Sequence, residues 1–226
     1  MASEVKIETR GRKRDDQLIA RRKEEILHSA SRAFANFGYA NTDVERIAST
    51  LDISKGTIYR YFPSKEKLFL AALDREVHRL REQVMAAYVK GDDALLQFAR
   101  ALNAFMSFFH ENPHAIELLM HERAKFSDRE SPTYLAQRAS DASLWRSLME
   151  KLIAKGYFRH MDIDMMLDTL ANLIYGAIFL NKFHENRSNL TAQAIDILSV
   201  LMNGFGTNEA RTDLALSETD LADLMK

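Results

Sequence analysis

The sequence predicts an all-α protein: an N-terminal domain of three helices, then a longer C-terminal helical bundle, about nine helices in all. Three observations predict it. Gly and Pro, the residues that interrupt helices, number only 8 and 3 among 226 residues. Apolar residues recur at intervals of three and four along nearly the whole chain, as a helix with one buried face requires. The breaks between these runs carry Ser, Thr, Asp or Asn before a run and Gly or Pro at its edge.

Taken in order, residues 1–16 hold Lys6, Arg10, Arg12, Lys13 and Arg14 with almost no apolar periodicity, and read as a disordered basic arm. A first helix is expected over Asp16–Phe37, with Ile19, Ile26, Leu27, Ala30, Ala33, Phe34 and Phe37 on one face. Gly38 has the position of the residue that closes it. Thr42 followed by Glu45 matches a capping box, so a second helix is expected over Asp43–Leu51, burying Val44, Ile47, Ala48 and Leu51. Asp52 and Ile53 make the turn, and Ser54 caps a third helix through about Tyr61. Pro63 stops it, and Ser64 caps a fourth. The three-helix domain then spans 17–63, the bundle 64–205, and an acidic tail 206–226.

Two short helices joined this tightly form a helix-turn-helix, whose second helix enters the DNA major groove. Lys55, Thr57, Tyr59 and Arg60 are polar or amphipathic side chains suited to that role. Gly56 removes a side chain where backbone must approach something closely, either DNA or the neighbouring helix. Ile58 and Phe62, four apart, should point into the domain. Because this domain follows directly, the basic arm is either a solvated tail or a contact to phosphates or the minor groove.

SKGTIYRYFPSKEKL, with RAFANFGYANTDVERIA before it, resembles the DNA-binding domain of TetR-type transcriptional regulators. The resemblance is residue-specific over Arg22–Leu73 and includes Phe37-Gly38-Tyr39, Ile47-Ala48 and the Tyr59-x-Tyr61-Phe62 run. It implies DNA contacts from Thr42, Lys55, Gly56, Thr57, Tyr59, Arg60, Tyr61 and Lys65. By the same resemblance, Tyr59 and Lys65 hold phosphates and so set affinity, while Thr57 and Arg60 are left for base edges. The position held by Arg60 varies in that family, so base preference does not carry over.

The fourth helix carries Leu68, Phe69, Ala72, Leu73, Val77, Leu80, Val84, Met85 and Tyr88, too long a stripe for the small domain alone. It is expected to bridge into the second domain. Further helices are expected at 93–111, 113–124, 132–155, 164–185 and 191–204, with Ser131-Pro132 as a cap and first-turn proline. The tail, with Leu214, Leu216, Leu221 and Leu224, is either a short docked helix or loose.

Phe98, Leu102, Phe105, Met106 and Phe109 form a bulky stripe, and Met120, Met149, Trp145, Tyr175 and Phe179 come from other helices. Each residue alone reads as bundle core. Together, in a chain with 10 Met and 13 Phe, they suit a plastic apolar site. The resemblance implies an effector held among these helices; the apolar lining suits a small, largely apolar one, and His121, Arg123 or Tyr175 are the polar groups that could orient it. Helices 164–183 and 191–205 carry more apolar surface than one face needs, so each is buried on two sides. The resemblance implies a homodimer through this pair, and Gly176 with Ala177 permits close approach. A dimer presents two recognition helices about 34 Å apart to a palindromic double-stranded operator.

Other classes are excluded on chemistry. His110-Glu111-Asn112-Pro113-His114 matches the zinc-protease pattern literally, but Pro113 breaks the helix that must hold both histidines. No phosphate loop, nucleophile elbow or dinucleotide fingerprint is present, so no enzyme, cofactor or metal is expected. There is no cysteine, no apolar run approaching the ~20 residues of a membrane span, and no apolar leader, so a cytoplasmic protein without membrane contact is expected. Net charge of −1 says little, because basic residues dominate 1–65 and acidic ones 206–226. The reading is a ligand-responsive DNA-binding repressor. The alternatives are a ligand-binding protein that has lost DNA binding, and a helical interaction module.

Overall fold

The computed structural model describes residues 9–88, 91, 93–183, 189–208 and 210. The start of the basic arm, with Lys6, and nearly all of the acidic tail, with its four leucines, lie outside the described residues. Among those described, nine helices form and no strand: α1 Thr9–Asn41, α2 Val44–Thr50, α3 Lys55–Tyr61, α4 Lys65–Ala87, α5 Ala94–Glu111, α6 Pro113–Lys125, α7 Thr133–Ala154, α8 Ile163–Phe183 and α9 Leu190–Phe205. An all-α chain with an N-terminal helix-turn-helix is what the periodicity predicts.

The chain divides into two compact units, Met1–Glu76 with Glu117–Ser127, and Val77–Ile116 with Asp128–Lys226. In the first, Ile26, Ala30 and Phe34 of α1, Ile47 and Ala48 of α2, Ile58 of α3 and Leu68, Phe69, Ala72 and Leu73 of α4 are all inaccessible to solvent. Each leucine, isoleucine or phenylalanine among them contributes about 1.5–3 kcal/mol by leaving water. Phe34 and Phe69 meet edge to face at 5.1 Å, and Tyr39 and Phe126 at 5.2 Å.

Four expectations are corrected here. The helix α1 starts at Thr9, because the Arg, Lys and Gln of 9–17 are sound helix formers that need no apolar face to extend it. Ile19 and Phe37, expected on its buried face, are 44% and 42% exposed, and the Arg46 guanidinium covers the Phe37 ring at 4.6 Å. Thr42 does not cap α2; Asp43 does, accepting from the Glu45 amide at 3.0 Å. Thr42 instead donates to the Gly38 carbonyl at 2.6 Å and is 3% exposed, sealing the end of α1. Pro132 itself occupies the N-cap of α7, one residue later than expected.

Other local signals match. Ser54 Oγ accepts from the Thr57 amide at 3.1 Å and Ser64 Oγ from the Lys67 amide at 3.1 Å, satisfying first-turn donors of α3 and α4. Asp52 takes a left-handed φ of 53° in the turn, which Asp tolerates. Gly38 takes φ 74° and ψ 168°, a region open almost only to glycine, and so bends the chain out of α1. Asn112 and Pro113 separate α5 from α6, as the rejection of the zinc pattern requires.

In the second unit α5 packs against α7, α8 and α9. Phe98, Met106, Phe108, Phe109, Leu148, Leu152, Phe158, Met166, Ile178 and Leu198 fill its core. Phe158 pairs with Gly206 in an isolated bridge that ties the α7–α8 loop to the end of α9. The helix α8 corrects a further expectation, since by length and composition it could cross a membrane. Only 22% of that stretch is buried within one chain. Leu180, Phe183 and Val200 are left 58%, 69% and 57% exposed on α8 and α9.

Candidate nucleic-acid interface and ligand cavity

The interface is built on α3, seven residues that could not hold a helix alone. Ile58 is fully buried and Phe62 is 8% exposed, which fixes how the helix rolls against α1 and α2. That roll leaves Gly56, Tyr59 and Arg60 exposed and Lys55, Thr57 and Tyr61 half-buried. A Cβ on Gly56 would meet only Ser54 Oγ, at 3.7 Å, so no neighbouring helix demands the glycine. The Arg60 guanidinium lies 5.3 Å from the Tyr61 ring. Thr57 Oγ1 lies 3.0 Å from Ser54 Oγ, within the cap itself.

Lys65 opens α4 beside this surface. Its Nζ donates to the Ala40 carbonyl at 3.0 Å and stands 5.0 Å from the Tyr39 ring. An ammonium has three donors, so two N–H groups remain for a phosphate. Lys55 Nζ lies 3.7 Å from Asp43 Oδ1. Amide donation from Glu45 holds the Asp43 carboxyl below its ordinary range, opposed by desolvation and aided by Lys55. Of the eight predicted DNA-contacting residues, seven gather on the α3 surface and the start of α4, and Thr42 is buried against α1. The exposed cap residue that the sequence reading missed is Asp43; Asp is as good an N-cap as Thr, so the signal was present one position along.

The second unit contains a cavity of about 240 Å³. Four helices each aim one stripe at it: Val77, Leu80, Arg81, Val84 and Met85 from α4; Phe98, Ala101, Leu102 and Phe105 from α5; Tyr134, Gln137, Arg138, Asp141 and Trp145 from α7; Asp164, Leu167, Asp168, Ala171 and Tyr175 from α8. Each stripe follows helical spacing, so each helix gives the cavity one face. Of the predicted ligand residues, Phe98, Leu102, Phe105, Trp145 and Tyr175 line it. Met106, Phe109 and Met149 are instead core, and Phe179 packs behind Tyr175 at 6.1 Å. Met120 and His121 belong to the other unit, where His121 packs on Gly38.

Polar groups occupy part of the wall. Arg81 Nε donates to Asp141 Oδ1 at 2.9 Å, Gln137 Nε2 to Asp141 Oδ2 at 2.8 Å, and Arg138 to Asp168 at 2.6 Å. Arg146 pairs with Asp164. The rings of Tyr134 and Tyr175 lie 4.4 Å apart. Burial, followed by the Tyr134 phenol beside it, pushes the Tyr175 hydroxyl well above its ordinary pKa. Among the described residues no three potential metal ligands cluster.

Comparisons with known proteins agree with this architecture. Residues 26–72 match the sequence model of the bacterial regulatory proteins of the tetR family. Over 130 residues the chain is 26% identical to the uncharacterized HTH-type transcriptional regulator YhgD of Bacillus subtilis, covering 53% of this chain and 68% of that protein. Over 66 residues it is 39% identical to the HTH-type transcriptional repressor AcnR of Corynebacterium diphtheriae, covering 29% of this chain and 35% of the repressor. The match to AcnR thus spans about a third of that protein's length. Among solved structures, SmeT, the repressor of a multidrug efflux pump of Stenotrophomonas maltophilia, superposes with a TM-score of 0.68 at 15% identity, covering 83% of this chain and 92% of SmeT. Residues 26–72 thus carry the helix-turn-helix domain of the tetR family of bacterial regulatory proteins, and the helices that follow share the fold of SmeT.

Proposed function

We propose that the chain is a homodimeric transcriptional repressor, bound to a palindromic operator and released from it by a small, largely apolar effector. The observation that carries this reading is the roll of α3: Ile58 is locked into the core while Gly56, Tyr59 and Arg60 face outward. Tyr59 and Lys65 hold phosphates, Arg60 takes a base edge, and Gly56 lets the backbone approach the groove. The exposed apolar residues of α8 and α9 support the dimer, since a single chain leaves them in water. The cavity supports the effector. AcnR and SmeT, both named as repressors, support repression.

Release follows from differential affinity. The helix α4 runs from the DNA-binding unit into the cavity wall, so an effector that reshapes its C-terminal part, from Val77 on, biases the DNA-binding unit. By linkage, operator DNA weakens effector binding by the same factor. Selection from a random duplex pool tests the reading. Enrichment of an inverted repeat with half-sites about one helical turn apart is expected. No enrichment, with cavity probes still bound, would leave a ligand-binding protein without DNA recognition.

A further inference from the structure

The cavity wall sorts by charge and exposure in a way that selects among ligands. Each carboxylate on it, Asp141, Asp164 and Asp168, already holds a guanidinium. Those pairs sit on the solvent side, with Arg81 and Arg138 each 41% exposed. A charged ligand therefore gains no unspent counter-charge and must still shed its water against apolar walls. The Tyr175 hydroxyl differs. Its oxygen is inaccessible to solvent and makes no well-formed hydrogen bond. Tyr134 stands beside it, but two paired hydroxyls use only one of their two protons, leaving one O–H donor unspent. A buried donor without an acceptor is costly, and a ligand that supplies the acceptor removes that cost.

We propose that the effector is an uncharged, mostly apolar molecule bearing a hydrogen-bond acceptor oxygen, such as a ketone, ester or ether, which accepts from the Tyr134–Tyr175 pair. The inference rests on the cavity being the effector site. Trp145, the one tryptophan of the chain, lines the cavity and reports occupancy.

The test titrates the full-length protein with four probes of one shape: 4-phenylbutan-2-one, n-butylbenzene, 4-phenylbutanoate and 4-phenylbutylammonium. Calorimetry and Trp145 emission give the affinities. The ketone is expected to bind about tenfold tighter than the hydrocarbon, as one satisfied hydrogen bond allows, and tighter than either ion. Only the double variant Tyr134→Phe with Tyr175→Phe should remove that advantage, because either hydroxyl alone keeps one O–H to donate; n-butylbenzene should still bind the double variant and shift Trp145 emission, which a misfolded protein would not allow. If the hydrocarbon binds as well as the ketone, or an ion binds best, the assignment of ligand class is overturned while the cavity stands. If no probe binds or shifts Trp145 emission, the effector-site reading itself falls.

Discussion

Gly38 bends the chain directly against the imidazole of His121, and a Cβ there would lie 3.4 Å from His121 Cε1. That distance is ordinary contact, so it is the backbone that demands glycine: φ 74° with ψ 168° is a region that other side chains rarely adopt. Gly38→Ala is expected to lower stability by about 1–3 kcal/mol, read as a drop in urea midpoint at unchanged slope. An unchanged midpoint would mean that the bend relaxes without cost.

At Gly56 the opposite holds. The nearest atom to a Cβ there is Ser54 Oγ at 3.7 Å, and the helix gains from alanine. Gly56→Ala is expected to keep or raise stability, by up to about 1 kcal/mol, and to weaken DNA binding. Unchanged DNA affinity would show that the α3 backbone does not approach the groove.

The α2 cap carries a pH dependence. The Asp43 carboxyl is held below its ordinary range first by the Glu45 amide and then by Lys55, so its charged form favours the folded state. That contribution is complete above the unfolded pKa of about 4 and is lost as pH falls through the lower folded value. Asp43→Asn keeps a capping oxygen but not the charge. The stability difference between the parent protein and Asp43→Asn should therefore be largest near neutral pH and vanish in acid; a difference that grows in acid would reverse the sign.

The apolar surface on α8 and α9 makes a prediction about assembly. Leu180 and Val200 are 58% and 57% exposed in one chain, so a glutamate at either position meets water in the monomer. Leu180→Glu and Val200→Glu are expected to leave monomer stability within about 0.5 kcal/mol. In a dimer each buries an unpaired charge, which costs roughly 2 kcal/mol or more. Sedimentation should show the dimer dissociating at concentrations at least tenfold higher than for the parent protein. A dimer that persists unchanged would move the interface elsewhere.

The sequence was clearest where local rules act alone. Ser54, Ser64 and Pro63 mark α3 and α4 because caps and proline breaks depend on a few neighbouring residues. The choice between Thr42 and Asp43 was not legible, since both suit an N-cap and only the burial of Thr42 against α1 decides it. The cavity was half legible for a similar reason. Phe98, Leu102 and Phe105 announce an apolar face, whereas Tyr134, Gln137, Arg138 and Asp141 resemble any solvated helix face until α4 and α8 close over them. Their spacing was the available signal, and pairing with Arg81 and Asp168 on other helices supplied what it lacked. His121 was assigned to the ligand site on its chemistry, but the turn at Gly38 claims it.

The central claim is that α3 reads base edges through Arg60. Fluorescence anisotropy on the selected site and on scrambled DNA, across a salt series, tests it most directly. The parent protein should prefer the selected site, with affinity falling steeply as salt rises. Arg60→Ala should lose roughly 1–3 kcal/mol on the selected site and little on scrambled DNA, so that the two affinities converge. Equal losses on both would make Arg60 a phosphate contact and contradict the account.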